Sequence, residues 1–309
     1  MTEILRLTPA EIRAADAELE ARAAAESVRL RGGTLSPGSQ AVSGREGQLF
    51  IGLGSNNWER HCVGNVDIDT AWFDYWRGLL AERQAEARRR GVEMWNVVVP
   101  EKQVVLPELR WAEPPDCGMR PMGQLLRRLG PEHRMYYAAP DLLAAKAQGP
   151  VYHVRDSHWC ASGVLAATRG LLQAMGVTVD FDALRFAYAR VRRTHDLPLH
   201  FLDAPIEVEA GRLRPNGRYA HHYDAREVGR HVGSQFRIVN PDAPDPRRVG
   251  VCGDSYSWED GLPFALSGVF AEVYFLWSKD LSWDMAAAER CDLLIWESAE
   301  RFISTTPGI

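Results

Sequence analysis

The sequence has no apolar run long enough to cross a bilayer, where about 20 residues are needed, so no membrane insertion is expected. Its N-terminus, Met1 to Leu7, has no basic stretch leading into a long apolar one. No secretory leader is visible there, and a cytoplasmic protein is expected. A basic surplus is lacking too: 36 Lys+Arg against 41 Asp+Glu leave a net charge of -5, which argues against nucleic acid as a partner. Arg88-Arg89-Arg90 is a short run preceded by Glu82 and Glu86 on the same helix, and it reads as a solvated face. The five cysteines, Cys62, Cys117, Cys160, Cys252 and Cys291, are odd in number and contain no CxxC pair. That excludes a zinc ribbon or a disulfide scaffold and predicts free thiols in a reducing compartment. No glycine loop of the P-loop or Rossmann type occurs, so no bound nucleotide cofactor is expected. Internal repeats and low-complexity tails are absent as well.

What is present is an ordinary globular composition, 46% hydrophobic and 25% charged over 309 residues, enough to bury a sizeable core in one large domain. Thr8-Pro9-Ala10-Glu11 has the capping-box arrangement and predicts an outer helix, packed on one side, running to about Leu30. A Gly/Ser-rich loop follows over 32–44, and neither segment is expected to carry function. Residues 1–43 are therefore set apart from a main domain over 44–309. In that domain Gln48 to Gly54 reads as a strand, Ile68 to Arg90 as a helix and Met94 to Pro100 as a doubly buried strand, together a βαβ unit. After a turn at Pro114-Pro115 come a helix over Met122 to Leu129, a weak strand at Met135 to Tyr137 and a helix over Gly163 to Met175. The stretch from about 178 to 245 mixes short strands with turns and reads as an insertion. Strands at Arg248 to Cys252, Val273 to Trp277 and Asp292 to Trp296 then alternate with helices from Pro263, over Met285 to Arg290, and from Glu297. The fold class is α/β with a mostly parallel central sheet.

Two short words carry the chemistry. Asp156-Ser157-His158-Trp159 holds an acid and an imidazole two residues apart, a spacing that in extended chain puts both side chains on one side. Gly253-Asp254-Ser255-Tyr256-Ser257 places a serine just past a strand, where open α/β sheets collect their ligands. A serine hydroxyl needs an imidazole to take its proton and a carboxylate to hold the imidazole tautomer, and the two words supply all three groups. Gly253 permits a sharp turn of the nucleophile-elbow kind, although Ser257 stands where G-x-S-x-G has glycine. The plainer alternatives are a helix cap at Asp254 or Ser255 and a surface loop at His158. His153, Asp156 and His158 resemble metal ligands, but no further Cys or His cluster completes a site, and no metal is expected.

Taken with their order, these words resemble the SGNH hydrolase-like domain of the alginate O-acetyltransferase family, the AlgX/AlgJ group. Gly44 to Gly52, Val97 to Lys102 with Pro107-Glu108, and Asp292 to Glu297 with Glu300-Arg301 look like further family segments in the same order. The resemblance implies a three-layer, flavodoxin-like fold with circularly permuted motif order. It implies Ser255 as nucleophile, His158 as general base and acid, and Asp156 as its orienting partner. The Ser255 N–H is the first oxyanion candidate, Asn56 or Asn57 is a weaker second with a loop that only turns as the equal alternative, and Tyr256 and Trp159 are substrate candidates. Cys160 departs from the polar residue, such as asparagine or threonine, that family members often have after the tryptophan.

The expected activity is transfer of an acyl group, acetyl first of all, to a hydroxyl of a carbohydrate or small-molecule acceptor. An acyl donor, acetyl-CoA or another acyl carrier, is the co-substrate, and no cofactor stays bound. Hydrolysis on the same triad is the alternative. A non-catalytic carbohydrate-binding module, with ten tryptophans available, is a third reading. Trp95 and Trp296, lying inside strands, read as core.

Overall fold

The apolar runs Val97 to Val99, Val249 to Cys252 and Leu293 to Trp296 are continuous because the sheet they form is covered on both faces. Successive side chains in a strand point to opposite faces. Val97, Val99, Val249, Val251, Leu293 and Ile295 accordingly join one core, while Val98, Cys252, Leu294 and Trp296 join another on the far side. Burying each such aliphatic side chain stabilises the fold by about 1.5–3 kcal/mol. The result is a three-layer arrangement.

The computed structural model describes residues 3–25, 30–54, 56–111, 119–202, 206–258 and 260–304. Ser55, the Pro114-Pro115 turn, Cys117 and the end of the first expected helix lie outside them. The chain begins with β1 (Leu5–Leu7), α1 (Pro9–Ala25) and a hairpin of β2 (Ala41–Ser43) and β3 (Leu49–Ile51). Then come α2 (Trp58–Cys62), α3 (Thr70–Arg90), β4 (Glu93–Val99), α4 (Lys102–Val105), α5 (Pro121–Leu126), β5 (Met135–Tyr137) and α6 (Ala139–Ala145). Helix α7 (Ala161–Ala174) leads to β6 (Phe186–Thr194), β7 (Glu207–Leu213), β8 (Arg218–Tyr223) and β9 (Gln235–Val239). The last elements are β10 (Asp245–Gly253), α8 (Leu262–Leu266), β11 (Phe270–Trp277), α9 (Trp283–Ala288), β12 (Leu293–Ala299) and α10 (Glu300–Ile303).

The main sheet has seven strands in the order β5-β4-β12-β10-β11-β9-β8. Pairing is parallel from β5 to β11, and β9 and β8 extend the sheet antiparallel. Strand β8 is one edge, opposite β5, and all six of its residues are exposed. A separate three-stranded sheet, β1-β6-β7, is antiparallel throughout. The stretch 178–245 thus divides, half building this small sheet and half extending the large one.

Several expectations are corrected. Gln48 to Gly54 does not start a βαβ unit: β3 is short and pairs only with β2, inside the supposed loop 32–44, because Ser36 and Gln40 hold that loop against the hairpin. The closing helix starts at Glu300 rather than Glu297, since parallel pairing with β4 keeps β12 extended to Ala299. Helix α1 has its capping box, Thr8 N–H to Glu11 at 2.8 Å. It is an outer helix packed on one side, as expected, but the packed side includes two acids, Asp16 and Glu20, both buried.

Candidate active site

Strand β10 ends at Gly253, and the next residues turn sharply at the carboxyl end of the sheet. A Cβ at Gly253 would lie 2.6 Å from Glu297 Oε2 and 2.8 Å from Ser257 Oγ, so only glycine allows β12 and the turn to come this close. Glu297 accepts from the Asp254 N–H at 3.2 Å and from the Ser257 hydroxyl at 2.7 Å. Ser257 therefore ties down the turn where a second glycine was the pattern. The Asp254 carboxylate accepts from the N–H groups of Tyr256, at 2.9 Å, and Ala299, at 2.8 Å. Ser255 is left half-buried at the tip.

Asp156 and His158 come from a loop closed by the antiparallel bridge Tyr152 to Trp159. The segment is bent rather than extended, which corrects the strand-spacing argument. Asp156 Oδ1 accepts both the His158 backbone N–H at 3.0 Å and its Nδ1 at 2.6 Å, a local turn that aims the ring. A carboxylate only accepts, so Nδ1 carries the proton and Nε2 faces the Ser255 hydroxyl, 2.8 Å away. Burial alone would raise Asp156, but the charge and hydrogen bond of His158 hold it well below the ordinary carboxyl value. Burial alone would lower His158, yet Asp156, with Asp196 behind it, raises it above the usual imidazole value.

Around the serine lies a pocket of about 100 Å³, lined by His158, Trp159, Arg193, Ser255, Tyr256, Trp258, Asp260 and Gly261. Trp159 and Tyr256 reach it, but both spend their polar atoms inside: Trp159 Nε1 donates to the Tyr256 carbonyl at 3.2 Å, and the Tyr256 hydroxyl donates to the Ser157 carbonyl at 2.8 Å. Asn56 and Asn57 do not line this pocket. The Asn56 amide faces the Arg301 carbonyl at 3.5 Å, and Asn57 sits with φ of 52° at the start of α2. The Ser255 N–H makes no hydrogen bond among the described residues.

Three supporting groups escaped sequence reasoning. Lys102, fully buried, donates to the carbonyls of Leu49, His153 and Val154 at 2.6 to 2.9 Å and so pins the loop ahead of Asp156; burial pulls its ammonium down to about 7. Glu20 on α1 accepts from His153 Nδ1 at 2.5 Å and from the Val154 N–H at 2.7 Å. Asp196, just after β6, accepts from the Ser157 N–H at 2.9 Å. The cap that Cys160 does not provide for α7 comes from Asp16, whose carboxylate accepts the Ser162 N–H at 2.7 Å. The four cysteines among the described residues are free and buried.

Asp156, His158 and Asp196 bring ligand-type atoms within 4.8 Å of one another. In this arrangement Nδ1 and Asp156 Oδ1 are 2.6 Å apart, a hydrogen bond. Two ligands of one zinc stand about 3.3 Å apart, given bonds of about 2.0 Å and tetrahedral angles. Among the described residues no helix is long and apolar enough to cross a membrane.

A Gly-Asp-Ser turn at a strand end of a mostly parallel sheet, faced by an Asp-Ser-His loop, makes this a mixed α/β protein with its candidate site at the carboxyl end of the sheet. Among solved structures the chain is similar to PatB1 of Bacillus cereus, with 10% identity, a TM-score of 0.56, and coverage of 78% of this chain and 93% of that one. It is similar to the O-acetyltransferase domain of Pseudomonas putida AlgJ, with 18% identity, a TM-score of 0.53, and coverage of 87% and 94%. It is also similar to Pseudomonas aeruginosa AlgX, with 15% identity, a TM-score of 0.52, and coverage of 84% of this chain and 61% of that one. No family model matches the chain, and no curated protein is similar to it in sequence. At these identities the likeness is one of fold, and at that level it bears out the resemblance to the AlgX/AlgJ group.

Proposed function

We propose that the protein is an O-acyltransferase, acetyl transfer being the first case, that works through an acyl-serine at Ser255. The observation that carries this reading is the continuous line Ser255 Oγ, His158 Nε2, His158 Nδ1, Asp156 Oδ1, with links of 2.8 and 2.6 Å. The similarity of fold to an AlgJ domain described as an O-acetyltransferase supports it. In the first half-reaction Ser255 Oγ bonds to the acyl carbon of an ester or thioester donor while its proton passes to His158 Nε2. The tetrahedral adduct then collapses, the bond to the leaving group breaks, and Nε2 returns the proton to that group. In the second half-reaction an acceptor hydroxyl loses its proton to Nε2 and bonds to the acyl carbon. The Ser255 ester bond breaks, and the proton goes back to Ser255. The Ser255 N–H stabilises the oxyanion, and such a donor contributes about 3 kcal/mol to the barrier difference. Acceptors are carbohydrates or hydroxylated small molecules.

The test is incubation with p-nitrophenyl acetate followed by mass spectrometry. An acetyl adduct is expected on the peptide bearing Ser255, and it should be absent in Ser255→Ala and His158→Ala. Wild-type turnover in both variants overturns the reading. Free acetate released at the same rate whatever acceptor is added would assign the site to hydrolysis instead.

A further inference from the structure

We propose that Asp196 is a positioning residue for His158, a second carboxylate that fixes the imidazole through Ser157 and shares with Asp156 the charge that forms on the ring. The inference rests on the reading of Ser255, His158 and Asp156 given above. Asp196 Oδ1 accepts the Ser157 N–H at 2.9 Å, and Oδ2 accepts the Ser157 hydroxyl. That hydroxyl lies 3.3 Å from His158 Nδ1, and Asp196 Oδ2 itself lies 3.9 Å from Nδ1. The two acids are also tied to each other, because the Asp196 N–H donates to Asp156 Oδ2 at 3.3 Å. Ser157 is almost wholly buried between them.

Two carboxylates around a neutral ring repel each other, and this is the ground state. Arg193, 3.9 Å from Asp156 Oδ2, relieves part of that repulsion but is also paired with Asp260 at 3.1 Å. When Nε2 takes the Ser255 proton, the ring becomes a cation lying between the two acids. The second carboxylate is therefore more favourable in the transition state than before it, which is the condition for speeding a step. The other groups facing the ring are Ser255 and Tyr256 from the turn after β10 and Arg301 from α10, whose charge acts in the opposite sense.

The pH dependence of kcat/KM for p-nitrophenyl acetate, measured from pH 5 to 9, tests this. The acidic limb reports protonation of His158, so removing a nearby negative charge should move it to lower pH. Asp196→Asn keeps the shape and an acceptor for the Ser157 N–H, while its NH2 can donate to the Ser157 hydroxyl oxygen, so the link survives with one bond reversed and the charge removed. It is expected to shift the limb down by about 0.5–1 pH unit, the low end for a nearby charge because Asp196 is partly exposed, and to lower the plateau by about 10-fold. Ser157→Ala cuts the hydroxyl link but leaves both charges, so the plateau should fall severalfold with little movement of the limb. A profile of Asp196→Asn that superimposes on wild type overturns the inference. If that variant does not fold, Ser157→Ala decides, and a wild-type plateau overturns it. Ser255→Ala separates the two proposals: if it keeps activity, the triad reading itself has failed, whereas loss there with an unchanged Asp196→Asn profile removes only the role of Asp196.

Discussion

The hydrogen bond from His158 Nδ1 to Asp156 fixes which ring nitrogen is free to face Ser255. Asp156→Asn offers an amide that permits the opposite tautomer, and kcat/KM for an acetyl ester is expected to fall by about 10³ to 10⁴-fold with the fold unchanged by circular dichroism. Because Asp156 and Asp196 raise His158, the acidic limb of activity is expected to have its midpoint above the ordinary value of about 6.5 in a wild-type pH series. Gly253→Ala pushes a methyl group against Glu297 and Ser257, where the closer contact is 2.6 Å. It is expected to destabilise the protein by about 2 kcal/mol in urea denaturation and to reduce acylation of Ser255. At this scale the sequence was most legible where residue types formed words. Asp156, His158 and Ser255 were named correctly as neighbours, whereas Asp196 stands alone in its segment, and its contact to Ser157 spans 39 positions. No local pattern marks such a residue.

Helix α1 shows why elements were harder to place than motifs. Its alanine-rich, alternately charged sequence has the composition of a solvated helix, yet Asp16 and Glu20 face inward to the start of α7 and the loop before Asp156. Only the partners reveal that direction. The Glu20–His153 pair gives this contact a pH signature. Burial opposes both charges, but His153 holds Glu20 below its ordinary value and Glu20 holds His153 above its own. The Glu20 part of the stability is present above the unfolded carboxyl value of about 4.3 and is lost as pH falls through its lower folded value. The His153 part is complete below about 6.5 and is lost as pH rises through its higher folded value. The stability difference between wild type and Glu20→Gln should therefore peak near pH 5–6, at about 3 kcal/mol, and shrink at higher pH, as followed by urea denaturation. Lys102 was hidden for a similar reason. A lysine after a strand reads as solvated, and its burial depends on three carbonyls brought by β3 and the 151–160 loop. The central strands, by contrast, were readable because burial on both faces leaves an uninterrupted apolar run.

Across the whole molecule, the site joins two sheets. Ser255 is delivered by the large one, while Arg193 and Asp196 come from and just after β6 of the small one. Helix α1 and β1 hold the small sheet in place, β1 pairing with β6 over Leu5–Leu7. A chain lacking residues 1–25 is expected to lose both cooperative thermal unfolding and the Ser255 adduct, measured by calorimetry and mass spectrometry. The wider groove of about 170 Å³ between α1, α6 and α7 contains none of Asp156, His158 and Ser255, so size alone is a poor guide to the candidate site. The division between sheets also bears on the fate of an acyl-serine. On the proposed mechanism water and an acceptor would compete for the same carbonyl carbon, and His158 could deprotonate either one. Arg193 lines the pocket beside Ser255, so on the proposed pathway the ratio of transfer to hydrolysis is expected to follow how firmly the small sheet is seated. If that pathway operates, substitutions along the β1–β6 seam, far from the serine, are expected to move the balance between the two outcomes.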